Sequence, residues 1–169
     1  WLAYMQMHAM HPQTGLFITE VMGTQPYSKQ PRGSATAYLV HYASRFAPEV
    51  ATDQWQRFKK HMLVRRMGIT GFREYLPGYT GRWTPDAGPI VAGLGIAASG
   101  LALNAASSVG DEDIHRVLKR SISPVLSLLR KFDHIPGLNR LSRVGTDLLA
   151  TSIYLNADTK TEWFAGEKM

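Results

Sequence analysis

"DAGPIVAGLGIAASGLALNAASSVGDED", residues 86–113, carries no charge from Ala87 to Gly110, and how that run folds decides the architecture. By length alone its 24 residues reach across a bilayer. Its composition points elsewhere. Fifteen of them are Gly, Ala or Ser and one is Asn104, whereas a span draws mainly on Leu, Ile, Phe and Val. Small residues let helices approach closely in water as well as in lipid. The run therefore reads as an inner, tightly packed helix over 88–109, with Asp86 as its N-cap or as a group facing a ligand at its mouth. The glycines of "GLGIAASG" read as allowances for close packing, because no strand precedes them as a dinucleotide fingerprint requires.

The segment that follows has the opposite character. "GDEDIHRVLKRSISPVLSLLRKF", 110–132, is charged and amphipathic, with Ile114, Val117, Leu118 and Ile122 at helical spacing. Asp111, Glu112 and Asp113 suit its cap and first turn, where negative charge complements the helix dipole. Pro124 is expected to kink or split it. The same order occurs upstream. "PRGSATAYLVHYASRF", 31–46, is apolar and small; "APEVATDQWQRFKKHM", 47–62, is amphipathic, with Trp55, Phe58 and Met62 on one face. A third unit opens at "RVGTDLLATSIYL", 143–155. Gly33, Gly88 and Gly145 mark a period near 56 residues. An apolar helix followed by an amphipathic one at a fixed period describes stacked helical hairpins.

The expected fold is therefore all-α: helical hairpins of an incomplete α/α toroid, the apolar helices inside, with short β-hairpins in the loops. Strand signals are thin and fall at 16–22 (LFITEVM) and 72–76 (FREYL). One domain over residues 1–169 is the expectation for this length. The chain begins at Trp1 with no charged n-region or cleavage pattern, which reads as a processed or partial chain.

Composition bounds the chemistry. There are no cysteines, so disulfides, thiolate catalysis and cysteine-bound metal are excluded within this chain. Nineteen Lys and Arg against thirteen acids give a net charge of +6, which favours anionic partners. The basic clusters lack interleaved aromatics, so nucleic acid is disfavoured. No nucleophile elbow, P-loop or zinc-protease motif is present. His8 and His11 lie three apart, but Pro12 works against a shared helix and no third ligand follows, so no metal is assigned.

Within that frame, "GTQPYSKQPRGSATAYLVHYASRFAPEVATDQWQRFKKHM", "GFREYLPG" and "TPDAGPIVAGLGIAASGLAL" resemble bacterial proteins of the linalool dehydratase/isomerase-like group. The resemblance covers roughly residues 10–155. It implies a six-hairpin (α/α)6 barrel of which this chain supplies the C-terminal half, and membrane association through N-terminal segments of the wider group. The linalool enzyme's chemistry is associated with cysteines, which this chain lacks.

In such a toroid, loops leading into the inner helices form the mouth of a central cavity. The richest, 72–88, offers Arg73, Glu74, Tyr75, Tyr79, Trp83 and Asp86. Glu74 and Asp86 are the candidate acid–base pair, with Glu20 as a third carboxylate. Against that, Arg73–Glu74 reads equally as an ordinary ion pair. Arg32 is a candidate clamp for a carboxylate or phosphate, or a structural salt bridge. Tyr38 and His41 lie on the first inner helix, where they can see the cavity. Asp147 can face it too, or pair with Arg143. Two functions follow. One is a cysteine-independent lyase/isomerase or glycosidase-like hydrolase acting on a small apolar or glycosidic molecule. The other is a non-catalytic accessory subunit whose partner is a missing N-terminal half or another chain. No cofactor is assigned, and a periplasmic or membrane-associated setting is the expectation.

Overall fold

A computed structural model describes residues 2–19, 21–22, 25–26, 30–66, 68–79, 90–91 and 93–131, and side chains over 2–19, 30–66, 68–79, 90 and 93–122. These residues are mostly helical with small antiparallel hairpins. The order is α1 (Leu2–His8), β1 (Val21–Met22), β2 (Gln25–Pro26), α2 (Gly33–Ala43), α3 (Pro48–Met62), β3 (Leu63–Arg66), β4 (Ile69–Phe72), β5 (Ile90–Val91), β6 (Leu94–Gly95), α4 (Ile96–Ser108) and α5 (Glu112–Lys131). Two helical pairs, α2–α3 and α4–α5, thus follow the expected order, apolar helix first. The third unit, 143–155, lies outside the described residues.

The core forms where the predicted faces meet. α2 packs against α3 and α4, and α4 packs against α5. Trp55, Phe58 and Met62 of α3 are all buried, as their spacing predicts. Phe58 stacks on Phe72 of β4 at 4.2 Å between ring centroids, with Trp55 5.5 Å from the same ring. Ala98, Ala102, Ala105 and Ala106 of α4 join this cluster with Ala37 and Val40 of α2. Their small side chains bring the two apolar helices close together.

Two boundaries differ from the sequence reading. The apolar helix starts at Ile96 rather than at 88, and its N-cap position is Gly95, not Asp86. Residues 90–95 instead form the β5–β6 hairpin, Val91 pairing with Leu94, with Gly93 at φ +81° in the connection. A left-handed glycine there is what a tight hairpin turn requires, and β-branched Ile90 and Val91 favour the strand. Asp86 itself lies outside the described residues. α5 continues through Pro124 without splitting.

The β3–β4 hairpin joins the two helical pairs. Its partners run from Leu63↔Phe72 to Arg66↔Ile69. Along its length the N–H groups of Thr70 and Phe72 are met by Ser121 Oγ of α5 and Ser99 Oγ of α4, both at 2.9 Å. Serine hydroxyls thereby close the edge of β4 that would otherwise leave buried donors unpaired.

Asp111 ties α3 to α5. Its Oδ1 accepts the Ile114 N–H at 3.2 Å, the cap that the sequence suggests. Its Oδ2 accepts Trp55 Nε1 at 2.8 Å and Lys59 Nζ at 2.6 Å. Burial pushes this carboxyl up, but the bonds from Lys59, Trp55 and Ile114 outweigh it and hold it below the ordinary 3.8. A depressed value means that the stability Asp111 adds is present above 3.8 and lost as the pH falls through the folded value. Asp111→Asn is expected to cost about 2 kcal/mol at neutral pH, from the lost ion pair and weakened cap. Urea denaturation should show the gap to wild type closing in that acid window; a gap independent of pH overturns the assignment.

A candidate ligand groove along α2

The groove begins with the helix start. No side chain of Arg32, the N-cap residue, caps α2. Glu74 does so from 42 residues away: its backbone oxygen accepts the Gly33 N–H at 2.8 Å and its Oε2 accepts the Ser34 N–H at 3.1 Å. Oε1 accepts Arg32 Nε at 2.9 Å and the Ser34 hydroxyl at 2.7 Å. The Glu74 side chain has no exposed surface. Burial pushes its carboxyl above the ordinary carboxylate range, against the pull of the Ser34 hydroxyl and the Arg32 charge. Thr19 Oγ1 accepts the Arg32 N–H at 2.9 Å and donates to Gln30 O at 3.2 Å, which holds the loop before the helix.

From that polar end a groove of about 600 Å³ runs along the outer face of α2. Thr19, Arg32 and Ser34 line one end. Tyr38, Tyr42 and Phe46 form an aromatic wall, and Leu39, Ala43, Leu101 and Leu2 of α1 complete the apolar lining. Tyr38 and Phe46 are 52% and 65% exposed, large values for rings in a wall, so an apolar ligand laid there removes aromatic surface from water. The Tyr38 hydroxyl donates to the Tyr42 oxygen at 3.3 Å, with ring centroids 4.6 Å apart. That bond, with the neighbouring Tyr42 and partial burial, raises the Tyr38 hydroxyl above its usual value, so it stays protonated and can donate.

The sequence candidates divide accordingly. Arg32 and Tyr38 line the groove, and Glu74 lies behind Arg32 and Ser34. The Arg32–Glu74 contact realises the salt-bridge alternative for Arg32, and Glu74 pairs with Arg32 rather than with its neighbour Arg73. His41 sits on the α4 side, its Nδ1 2.6 Å from Ser108 Oγ. Ser108 Oγ also lies 2.8 Å from Asn104 O, to which it donates. Burial and the Arg45 charge lower the His41 pKa against a bond to Asn104, so the ring is neutral at neutral pH. Arg73, Tyr75 and Tyr79 are not groove residues: the Arg73 N–H donates to Met62 O, and the Tyr79 N–H donates to Leu76 O with the ring half exposed. Glu20, Trp83, Asp86 and Asp147 lie outside the described residues. His11 is buried with Nδ1 on Thr14 Oγ1 at 3.0 Å.

Tyr42 and Phe46 were legible beside Tyr38 as an i, i+4, i+8 aromatic row. Leu2, Thr19 and Leu101 come from other elements, and no local pattern marks them. Comparison with protein-family models, with curated proteins and with solved structures gives no match.

Proposed function

We propose that this protein binds a small, largely apolar molecule carrying a hydroxyl or other polar end in the groove along α2. The observation that carries the reading is the aromatic wall of Tyr38, Tyr42 and Phe46 leading to Arg32, Ser34 and Thr19. The volume matches that of small-molecule sites, and few polar groups in an apolar lining fix orientation. The succession of apolar and amphipathic helices, with α2 against α4, supports the wider reading of two hairpins from an α/α toroid of the linalool dehydratase/isomerase-like group.

Both oxygens of Glu74 are engaged and its side chain is enclosed, which favours a binding role without catalysis at this end. Acid–base chemistry of the lyase/isomerase or hydrolase kind then rests with the other two candidate carboxylates, Asp86 and Glu20, the second following the groove residue Thr19 in sequence.

Fluorescence titration with 1-anilinonaphthalene-8-sulfonate, displaced by linalool, tests the site. Tyr38→Ala/Phe46→Ala should weaken both ligands ~30-fold, taking ~1 kcal/mol per aromatic contact. Tyr79→Ala, an exposed ring elsewhere, should leave affinity unchanged. Equal binding by the double variant and the wild type overturns the groove. Turnover of linalool that Glu20→Gln abolishes adds the catalytic role; binding without turnover leaves the accessory one.

A further inference from the structure

We propose that the β3–β4 hairpin and the adjoining surface of α5 form a docking face for an anionic membrane, reading lipid headgroups by charge and the bilayer edge by one apolar tip. Charge is segregated along the chain in a way that total composition hides. Residues 59–73 and 116–131 contain ten of the nineteen Lys and Arg and none of the thirteen acids. The fold joins these two segments: the Thr70 N–H donates to Ser121 Oγ at 2.9 Å, and Thr70 is the strand partner of Arg65. Lys60, Arg65, Arg66 and Arg120 are exposed and make no ion pair among the described residues. Among the described residues, the exposed acids of these helices lie toward their other ends, at Glu49 and Asp53 of α3 and at Glu112 and Asp113 of α5. Uncompensated cations on adjoining elements sum their fields, and each near an anionic bilayer strengthens attachment.

The hairpin tip supplies the second observation. Ile69 is 39% exposed beside Arg66, its strand partner, next to Gly68 at φ +78° in the turn. An apolar side chain at a tip flanked by arginines suits the headgroup boundary, where the apolar group enters and the cations stay with phosphates. Nucleic acid fits this face less well. Phe72 of the hairpin and Phe58 stacked on it are fully buried, so neither ring is offered for base stacking.

Vesicle co-sedimentation of the full 169-residue chain tests this. Binding is expected to phosphatidylserine-containing vesicles, not to pure phosphatidylcholine, and should vanish at about 1 M salt, where screening shortens to about 3 Å. Arg65→Gln/Arg66→Gln should weaken it about thirtyfold, and Ile69→Ser several-fold, with unchanged circular dichroism. If the arginine pair disturbs folding, Lys60→Gln/Arg120→Gln is read instead and must show a comparable loss. Equal binding to both vesicle types overturns the proposal, as does full binding by the charge variants. So does tighter binding to a single-stranded DNA oligonucleotide that the arginine variant loses.

Discussion

Gly33→Ala should lower the melting temperature by about 10 °C, although alanine normally improves a helix. Gly33 is the first residue of α2, and in a solvated helix the exchange gains about 1 kcal/mol. Here a Cβ falls 2.0 Å from the Arg73 carbonyl oxygen and 2.8 Å from Ala98 Cβ. The oxygen is backbone, and its loop is pinned: the Arg73 N–H bonds Met62 O, and Glu74 O receives the Gly33 N–H itself. Yielding on one side breaks the borrowed cap; yielding on the other separates α2 from α4. Overpacking of this kind costs about 3 kcal/mol, and for a chain of this size that moves the midpoint by roughly 10 °C. Gly78→Ala is the control, since Gly78 has φ +88° but no neighbour within 4 Å. It should cost only the left-handed backbone penalty, about 1 kcal/mol. A Gly33→Ala protein as stable as the Gly78→Ala one would mean that the 73–74 loop can move away from α2.

That contrast also shows what the sequence could reveal. The 3.6-residue apolar rows of α3 and the first half of α5, and the apolar, small-residue run of α2, are local properties, so their helices were legible, as was the Asp111 cap. The residues that set the groove's polar end were legible only by type. Arg32 and Glu74 were both picked out, but their union spans 42 residues and rests on a loop turning back beneath a helix start. The hairpin over 63–72 was missed because "LVRR" and "ITGF" lack an alternating run; Ser99 and Ser121, supplied from two helices, complete its bonding. The uncharged run misled about its first turns because "PIVAGLG" is apolar throughout. Only Gly93, in a left-handed turn, separates a hairpin from a longer helix there. The lining of the groove is equally non-local, since Leu2 and Leu101 come to it from helices distant in sequence.

Glu74→Ala should be the most damaging side-chain truncation at this site, costing about 4 kcal/mol. The change leaves the largely buried Arg32 guanidinium without its carboxylate and the Ser34 N–H and hydroxyl without their acceptor. Truncation removes the acceptor of three side-chain hydrogen bonds and leaves the space of a fully enclosed side chain empty, which together cost about 4 kcal/mol. Glu74→Gln keeps the shape and one acceptor oxygen and resembles the protonated acid, so it should cost about 1 kcal/mol. The two variants separate charge from packing. They also fix the sign of the pH effect. Burial raises the folded carboxyl above the ordinary 4.5, so its favourable contribution is complete below that value and is lost as the pH rises through the folded one. Wild-type stability, measured by urea denaturation, should therefore carry a downward component above pH 4.5 that Glu74→Gln lacks. Tyr38→Ala, on the outer wall, should leave that component in place. If Glu74→Ala melts with the wild type, Glu74 is not the cap of α2, and the polar end of the groove has some other support.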